Sequence, residues 1–210
     1  GRIASSTVPV SLNGRNSIVV TNKECVTRVR NKTTDGAWSD WTYFEYLTSD
    51  AGDGAFDFAN GLTGDVEIET LWESHDRYEM SQGFEFTNQG ITSLTIQSTE
   101  TLTKAGKHTT ITGNSASSLL VFNTEGPVEV KNLEFDGKEH AQTSDGGAMS
   151  VGSGSLVLTD VEIHDFTTLG NGGAVYAGSG VEVTIDGGTT ITGCRAVCGG
   201  AVYAAHEDGQ

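Results

Sequence analysis

A short glycine-rich phrase returns along the second half of the chain at an almost constant interval. Gly-Gly-Ala-Val-Tyr-Ala occupies residues 172–177 and again 199–204, and a related phrase begins at Gly146. A second phrase, Thr-Thr-Ile-Thr-Gly, occupies residues 109–113 and returns at 189–193, about three such intervals later. Repeats of 20 to 50 residues are typical of solenoids, in which successive repeats stack on one another. The sequence therefore predicts a solenoid.

The segments between the glycine phrases identify the kind of solenoid. They alternate apolar and polar residues over short runs, as in Val128-Glu129-Val130 and Val181-Glu182-Val183. This alternation, broken by Gly, Asn, Asp and Ser, predicts short β-strands, whereas helical repeats need apolar residues at i, i+3 and i+4. We predict an all-β fold, a parallel β-helix with rungs of ~27 residues and three short strands per rung.

Residues one period apart should stack, so the repeats also predict which side chains point inward. Two apolar columns are expected inside, namely Phe122, Met149, Val175 and Val202, and then Val151, Ala177 and Ala204. The column between them should point outward, and it contains Asn123, Ser150, Tyr176 and Tyr203. On the other strands, Glu129, Glu134, Asp136, Glu162 and His164 are expected outside. We expect the two tyrosine rings to lie one above the other.

The Gly-Gly-Ala-Val-Tyr phrase with its following strands resembles the right-handed β-helix repeats of bacterial surface proteins. These proteins include polymorphic outer-membrane autotransporters and wall-anchored adhesins of Gram-positive bacteria. The resemblance covers about residues 65–204, and it implies a right-handed β-helix that is secreted and attached to the cell surface. It is specific for the fold and weak for the function, because one scaffold carries many activities.

The charge of the chain restricts its partners. There are 12 Lys and Arg residues against 28 Asp and Glu residues, a net charge of −16. This charge argues against nucleic-acid binding, which needs basic residues at the phosphates. The sequence contains no run of 18 apolar residues, so we also predict no membrane insertion of this fragment. We expect a monomeric extracellular protein without a cofactor, whose partner is a host or environmental glycan or surface protein.

The first 53 residues differ from the rest, so we divide the chain into residues 1–53 and residues 54–210. The first part is predicted to be a β-rich, aromatic cap over the β-helix. Its Trp38 and Trp41 could pack over the first rung or form a sugar platform. A short capping helix is predicted from Gly54 to Asn60. Because a new repeat opens at Gly199, we expect the β-helix to continue beyond this fragment.

An enzyme is the main alternative, since many parallel β-helices cleave polysaccharides. Glu134, Asp136, Glu162 and His164 could gather on one outer strip and supply the acid and base of a hydrolase. A lyase usually needs a Lys or Arg base, and after Lys138 the sequence contains one such residue, Arg195, which lies in a predicted turn. We therefore interpret the strip as a solvated acidic face and predict that the protein is not an enzyme.

Three cysteines do not form a disulfide framework. Cys194 and Cys198 share one predicted turn, so we predict a disulfide between them, with Cys25 left free. A metal site formed by both thiols and His206 lacks a fourth ligand and is not expected.

The function predicted from these observations is non-catalytic adhesion. The candidate binding residues are Tyr176, Tyr203, Ser150, Asn123 and Glu129, followed by Trp38, Trp41, Glu134, Asp136, Glu162 and His164. A polysaccharide lyase or hydrolase and a passive surface spacer are the alternatives.

Overall fold

The structure, a computed structural model, describes residues 18–20, 25–32, 35–45, 54–56, 64–72, 77–80, 84–86, 90–113, 116–137 and 141–206. The strands before the glycine phrases are β1 (Ile18–Val20), β2 (Cys25–Asn31), β3 (Thr42–Glu45), β4 (Gly54–Phe56), β5 (Gly64–Trp72), β6 (Arg77–Met80), β7 (Phe84–Phe86), β8 (Ile91–Ser98) and β9 (Thr109–Gly113). One helix, α1 (Glu100–Lys104), lies between β8 and β9. The later strands are β10 (Leu120–Lys131), β11 (Leu133–Asp136), β12 (Ala141–Gln142), β13 (Met149–Thr159), β14 (Glu162–His164), β15 (Thr167–Thr168), β16 (Val175–Ala177), β17 (Glu182–Asp186), β18 (Thr190–Thr192) and β19 (Val202–Ala204).

These strands stack as a parallel β-helix with three faces. The first face contains β7, the start of β10, the start of β13, β16 and β19. The second face contains β5, β8, the ends of β10 and β13, and β17. The third face contains β6, β9, β11, β14 and β18. Neighbouring strands on each face are parallel, which confirms the predicted fold class.

In strands such as β8, β10 and β13, apolar side chains alternate inward and contribute to one continuous core. The largest fully buried side chains include Phe86, Phe122, Phe135 and Phe166. Val175 pairs with Met149 on one side and Val202 on the other, as predicted, and Val202 is partly buried. Ala204, which was also predicted to point inward, is exposed. Thr110 and Thr190 are three strands apart on the third face, through β11 and β14. The two threonine phrases are therefore three rungs apart.

The structure corrects the placement of Phe122 and Asn123. Leu120, not Phe122, pairs with Met149, and Phe122 pairs with Val151. A constant period of ~27 residues places Phe122 beside Met149, but the real separation of the paired residues is 29. The shift of two residues preserves the alternation, so Phe122 still points inward and is fully buried. For the same reason Val121, not Asn123, pairs with Ser150, and Asn123 pairs with Ser153 instead.

The two glycines of the repeated phrase are needed for different structural reasons. Gly172 has φ +73°, in the left-handed region that favours glycine. Gly173 lies directly beneath the next rung, where an added Cβ would be 1.9 Å from the carbonyl oxygen of Gly200. The first glycine therefore makes the turn, and the second allows adjacent rungs to approach within strand spacing.

The N-terminal strands extend two of these faces in antiparallel order. Strand β2 pairs with β5, and β3 pairs with β2, at the beginning of the second face. Strand β1 pairs with β6 and β4 at the beginning of the third face. The predicted capping helix is wrong at Gly54–Phe56, which forms β4 instead; residues 57–60 lie outside the described part of the chain. Within the described residues, the one helix is far too short to span a membrane.

Candidate functional site

Tyr176 and Tyr203 form a stacked pair on the outer side of the first face. The two residues pair in register on β16 and β19, and both side chains are half-buried. Their ring centroids are 5.7 Å apart and their planes differ by 12°. The neighbours of Tyr176 along the strand, Val175 and Ala177, are buried, so alternation directs the tyrosines outward. The predicted ring stacking is confirmed.

The residues predicted to accompany the tyrosines are only partly in the same column. Ser150 pairs with Tyr176 and extends the column by one rung. Val121, not Asn123, pairs with Ser150, because the rung is longer than the assumed period. The side chain of Asn123 instead donates to Glu85 Oε1 at 3.0 Å. We call Tyr203, Tyr176, Ser150 and Val121 the tyrosine column.

Glu129 belongs to the second face rather than to the tyrosine column. It pairs with Val157 and Thr95, as stacking on that face requires. Its carboxylate lies 3.6 Å from Lys131 Nζ and accepts a hydrogen bond from Thr159. The structure therefore separates Glu129 from the tyrosines.

Trp38 and Trp41 contact the basic side chains of β2. The guanidinium group of Arg30 lies 4.5 Å from the Trp38 ring centroid and 4.4 Å from that of Trp41, and Arg28 lies 4.2 Å from the latter. Since Val29 is buried, Arg28 and Arg30 point to the outer side of the sheet. The tryptophans thus stack on cations.

Arg30, which contacts both tryptophan rings, also lines a polar groove of about 400 Å³. Arg30, Glu67 and Glu69 line one part of it, and Lys131 and Asp160 line another. Arg30 is ion-paired with Glu67 at 2.7 Å, and Arg28 is ion-paired with Glu69. An ionic ligand entering here would have to compete with these pairs.

The third face gathers the acidic residues predicted to form an outer strip. Glu134 pairs with Glu162, and Asp136 pairs with His164 on the next rung. Thr190 and Thr192 continue these two columns. The stacking was predicted correctly. The strip is not a uniformly solvated face, however, because Asp136 is only 3% exposed.

Glu134 is held by side chains from the rungs on either side. His108 Nε2 lies 2.9 Å from its Oε2, and Thr110 Oγ1 donates to the same oxygen at 2.6 Å. From the following rung, His164 Nε2 lies 2.8 Å from Glu134 Oε1. The other ring nitrogen of His164, Nδ1, lies 2.9 Å from Asp165 Oδ2 and 3.8 Å from Asp136 Oδ1. We call His108, Glu134, Asp136, Glu162, His164 and Asp165 the histidine–carboxylate cluster.

The environment shifts two pKa values in this cluster. Burial favours a raised pKa for Glu134, but the hydrogen bonds from Thr110, His164 and His108 outweigh it and lower the pKa to about 2. For His164, burial opposes protonation, while Asp165, Glu134 and Asp136 favour it and raise the pKa overall. The pair therefore favours a carboxylate beside an imidazolium.

His108 and Asp165 were missed by the sequence reasoning. His108 stands two residues before Thr110, so strand alternation places it on the same side as that residue. Asp165 directly follows β14 and has φ 60°, the left-handed conformation that Asp adopts more readily than most residues. Position relative to a strand was the available signal in both cases.

The cysteine prediction is not borne out by the structure, which has Cys194 and Cys198 as free thiols. Cys194 is packed against the core, and burial is the main reason that its pKa is raised. Cys198 is exposed, so the two side chains lie in different environments despite their short separation. The side chain of Cys25 lies outside the described part. Among the described residues, the potential metal-ligand groups do not include Cys194, Cys198 or His206.

Comparisons with known proteins gave no match to a family model, to a curated protein or to a solved structure. The fold itself defines the class of protein as a parallel β-helix.

Proposed function

We propose that this protein is a non-catalytic adhesin of the bacterial cell surface, which binds a glycan or a surface protein through the outer side of its β-helix. The observation that carries the proposal is the stack of Tyr176 and Tyr203 on a parallel sheet. Tyrosine rings held outward in this way offer apolar faces for sugar rings and hydroxyl groups for hydrogen bonds. They are also enriched at the centres of protein interfaces.

The rigidity of the tyrosine column supports a binding role. Tyr176 has buried neighbours on both sides within its strand, and the parallel register with β19 fixes the offset of the two rings. Side chains that are already ordered lose less conformational entropy when a ligand binds. Ser150 adds a small hydrogen-bonding group one rung away. The column therefore combines an aromatic surface with an adjacent polar position.

The pKa of Glu134 argues against this residue as the acid of a glycoside hydrolase. A glycoside hydrolase needs one carboxylic acid that is protonated near neutral pH, together with a carboxylate. Against the effect of burial, hydrogen bonds lower the pKa of Glu134 to about 2, so this residue is not suited to donate that proton. The competing hypothesis of a lyase or hydrolase predicts reducing ends or unsaturated products, which can be assayed on host and plant polysaccharides.

An array of glycans and surface proteins tests the adhesin proposal. The parent should bind at least one ligand class, and Tyr176→Ala with Tyr203→Ala should abolish that binding while the chain stays folded. Tyr176→Phe with Tyr203→Phe keeps the rings and removes the hydroxyl groups, so it separates stacking from hydrogen bonding. Glu129→Ala, on the second face, is the control for loss of a single outward side chain. Absence of any binding by the parent would favour a passive spacer.

A further inference from the structure

The ring nitrogens of His164 both face carboxylate oxygens. Nδ1 lies 2.9 Å from Asp165 Oδ2, and Nε2 lies 2.8 Å from Glu134 Oε1. The ring of His164 is thereby held between Asp165 and Glu134, and it limits the orientations open to the Glu134 carboxylate.

The neighbouring rungs add carboxylates to the same place. Glu134 and Glu162 are in register on adjacent parallel strands, and like charges directly opposite each other are destabilising. The ion pairs of Glu134 are made with His108 and His164, both of which carry a charge only when protonated. A cation that binds between the two glutamates would relieve this repulsion.

We propose that His108, Glu134 and Glu162 bind one divalent transition-metal ion of the zinc class. One ligand atom from each residue lies within 4.8 Å of the others. Zinc bonds of about 2.0–2.2 Å in tetrahedral geometry place ligand atoms roughly 3.3–3.6 Å apart, so modest side-chain rotations complete the site. The three residues come from three successive rungs.

The donor set selects the metal. A histidine nitrogen together with carboxylate oxygens suits zinc, cobalt, nickel or manganese, whereas calcium and magnesium prefer oxygen ligands alone. Three protein ligands leave the fourth position open to water or to a ligand group. His164 is the positioning residue, because Asp165 orients its ring while its Nε2 faces the second oxygen of Glu134.

Metal titration of the untagged, EDTA-treated chain tests the proposal. Calorimetry with zinc chloride should show about one equivalent bound, and cobalt(II) should give visible absorption bands of a four- or five-coordinate site. His108→Ala should weaken zinc binding at least about tenfold, since loss even of a residue that only supports a ligand costs 10–100-fold. Glu162→Ala should do the same, and because Glu162 is exposed this variant should remain folded.

His206→Ala is the matched control, because it removes another histidine that is exposed and outside the cluster. Its zinc affinity should equal that of the parent, and circular dichroism in EDTA should show that all variants are folded. The proposal is overturned if the parent binds no zinc at about 100 µM. It is equally overturned if His206→Ala loses binding while His108→Ala keeps it, or if calcium binds as tightly as zinc.

Discussion

Replacing Gly173 by alanine tests whether the second glycine of the repeated phrase sets the distance between rungs. An added Cβ would lie 1.9 Å from the carbonyl oxygen of Gly200 and 2.9 Å from the backbone nitrogen of Arg195. Both atoms belong to the backbone of the next rung, so no side-chain rotation can remove the clash. We expect the two rungs to be forced apart at this point.

The expected cost follows from the hydrogen bonds that cross this gap. Gly173 donates to Gly199 at 3.0 Å, and Ala174 and Val175 both donate to Ala201 at 2.9 and 3.1 Å. Losing these bonds costs about 1 kcal/mol each. Overpacking adds about 1–3 kcal/mol, and the smaller entropy of the unfolded alanine chain returns about 0.4–1 kcal/mol. The free energy of unfolding should fall by about 3–6 kcal/mol.

Urea denaturation of two variants measures this cost against a matched control. Gly200 has the same position in the phrase, but within the described part of the chain the one atom within 4 Å of an added Cβ there is the Cys194 carbonyl oxygen, at 3.3 Å. Gly200→Ala should therefore change the free energy of unfolding by less than about 1 kcal/mol. Equal effects of Gly173→Ala and Gly200→Ala would refute the explanation that rung contact requires the glycine.

Three further predictions concern the core, the histidine–carboxylate cluster and the thiols. Val175→Asp buries an unpaired charge at a fully buried site, so it should lower stability by several kcal/mol; a parental urea midpoint would contradict the inward assignment. In EDTA, the lowered pKa of Glu134 should stabilise the folded state fully above about pH 4.5, and this contribution should disappear as the pH falls toward 2. The acid denaturation profile of Glu134→Gln should lack this loss of stability at low pH. A profile identical to that of the parent would contradict the lowered pKa of Glu134. Iodoacetamide at pH 8 should label Cys198 faster than Cys194, whose pKa burial raises; faster labelling of Cys194, or a disulfide found by mass spectrometry, would refute this.

The fold could be predicted because its determinants are local. Alternation within each strand indicates which residues point inward, and the glycine phrases mark where a rung begins. The prediction failed at Phe122 and Asn123, where the preceding residues are Ser118 and Leu119 rather than a Gly-Gly-Ala phrase. Without that marker, the length of the rung could not be counted, and the assumed period was two residues too short.

The candidate sites could be predicted only where they depend on stacking alone. Register brought Glu134 beside Glu162 and Tyr176 beside Tyr203, as expected. The contacts of His108 and His164 with Glu134 are different, because they run diagonally between rungs and depend on side-chain conformation. Likewise, the separate environments of the two thiols depend on how the turn packs against the core. Sequence spacing does not encode these distances.

A comparison of attachment between two folded forms of the protein tests whether the tyrosine column is the binding surface. Attachment of the parent and of the Tyr176→Ala, Tyr203→Ala double variant should be compared on the ligand that the array identifies, with the melting temperature of each measured in parallel. A stacked aromatic pair contributes about 0.5–1.5 kcal/mol beyond its buried area, and both rings are only half-buried, so the variant should remain folded with a lower melting temperature. The account predicts that attachment is lost in this folded variant. Undiminished attachment would contradict it and place the binding surface on another part of the protein.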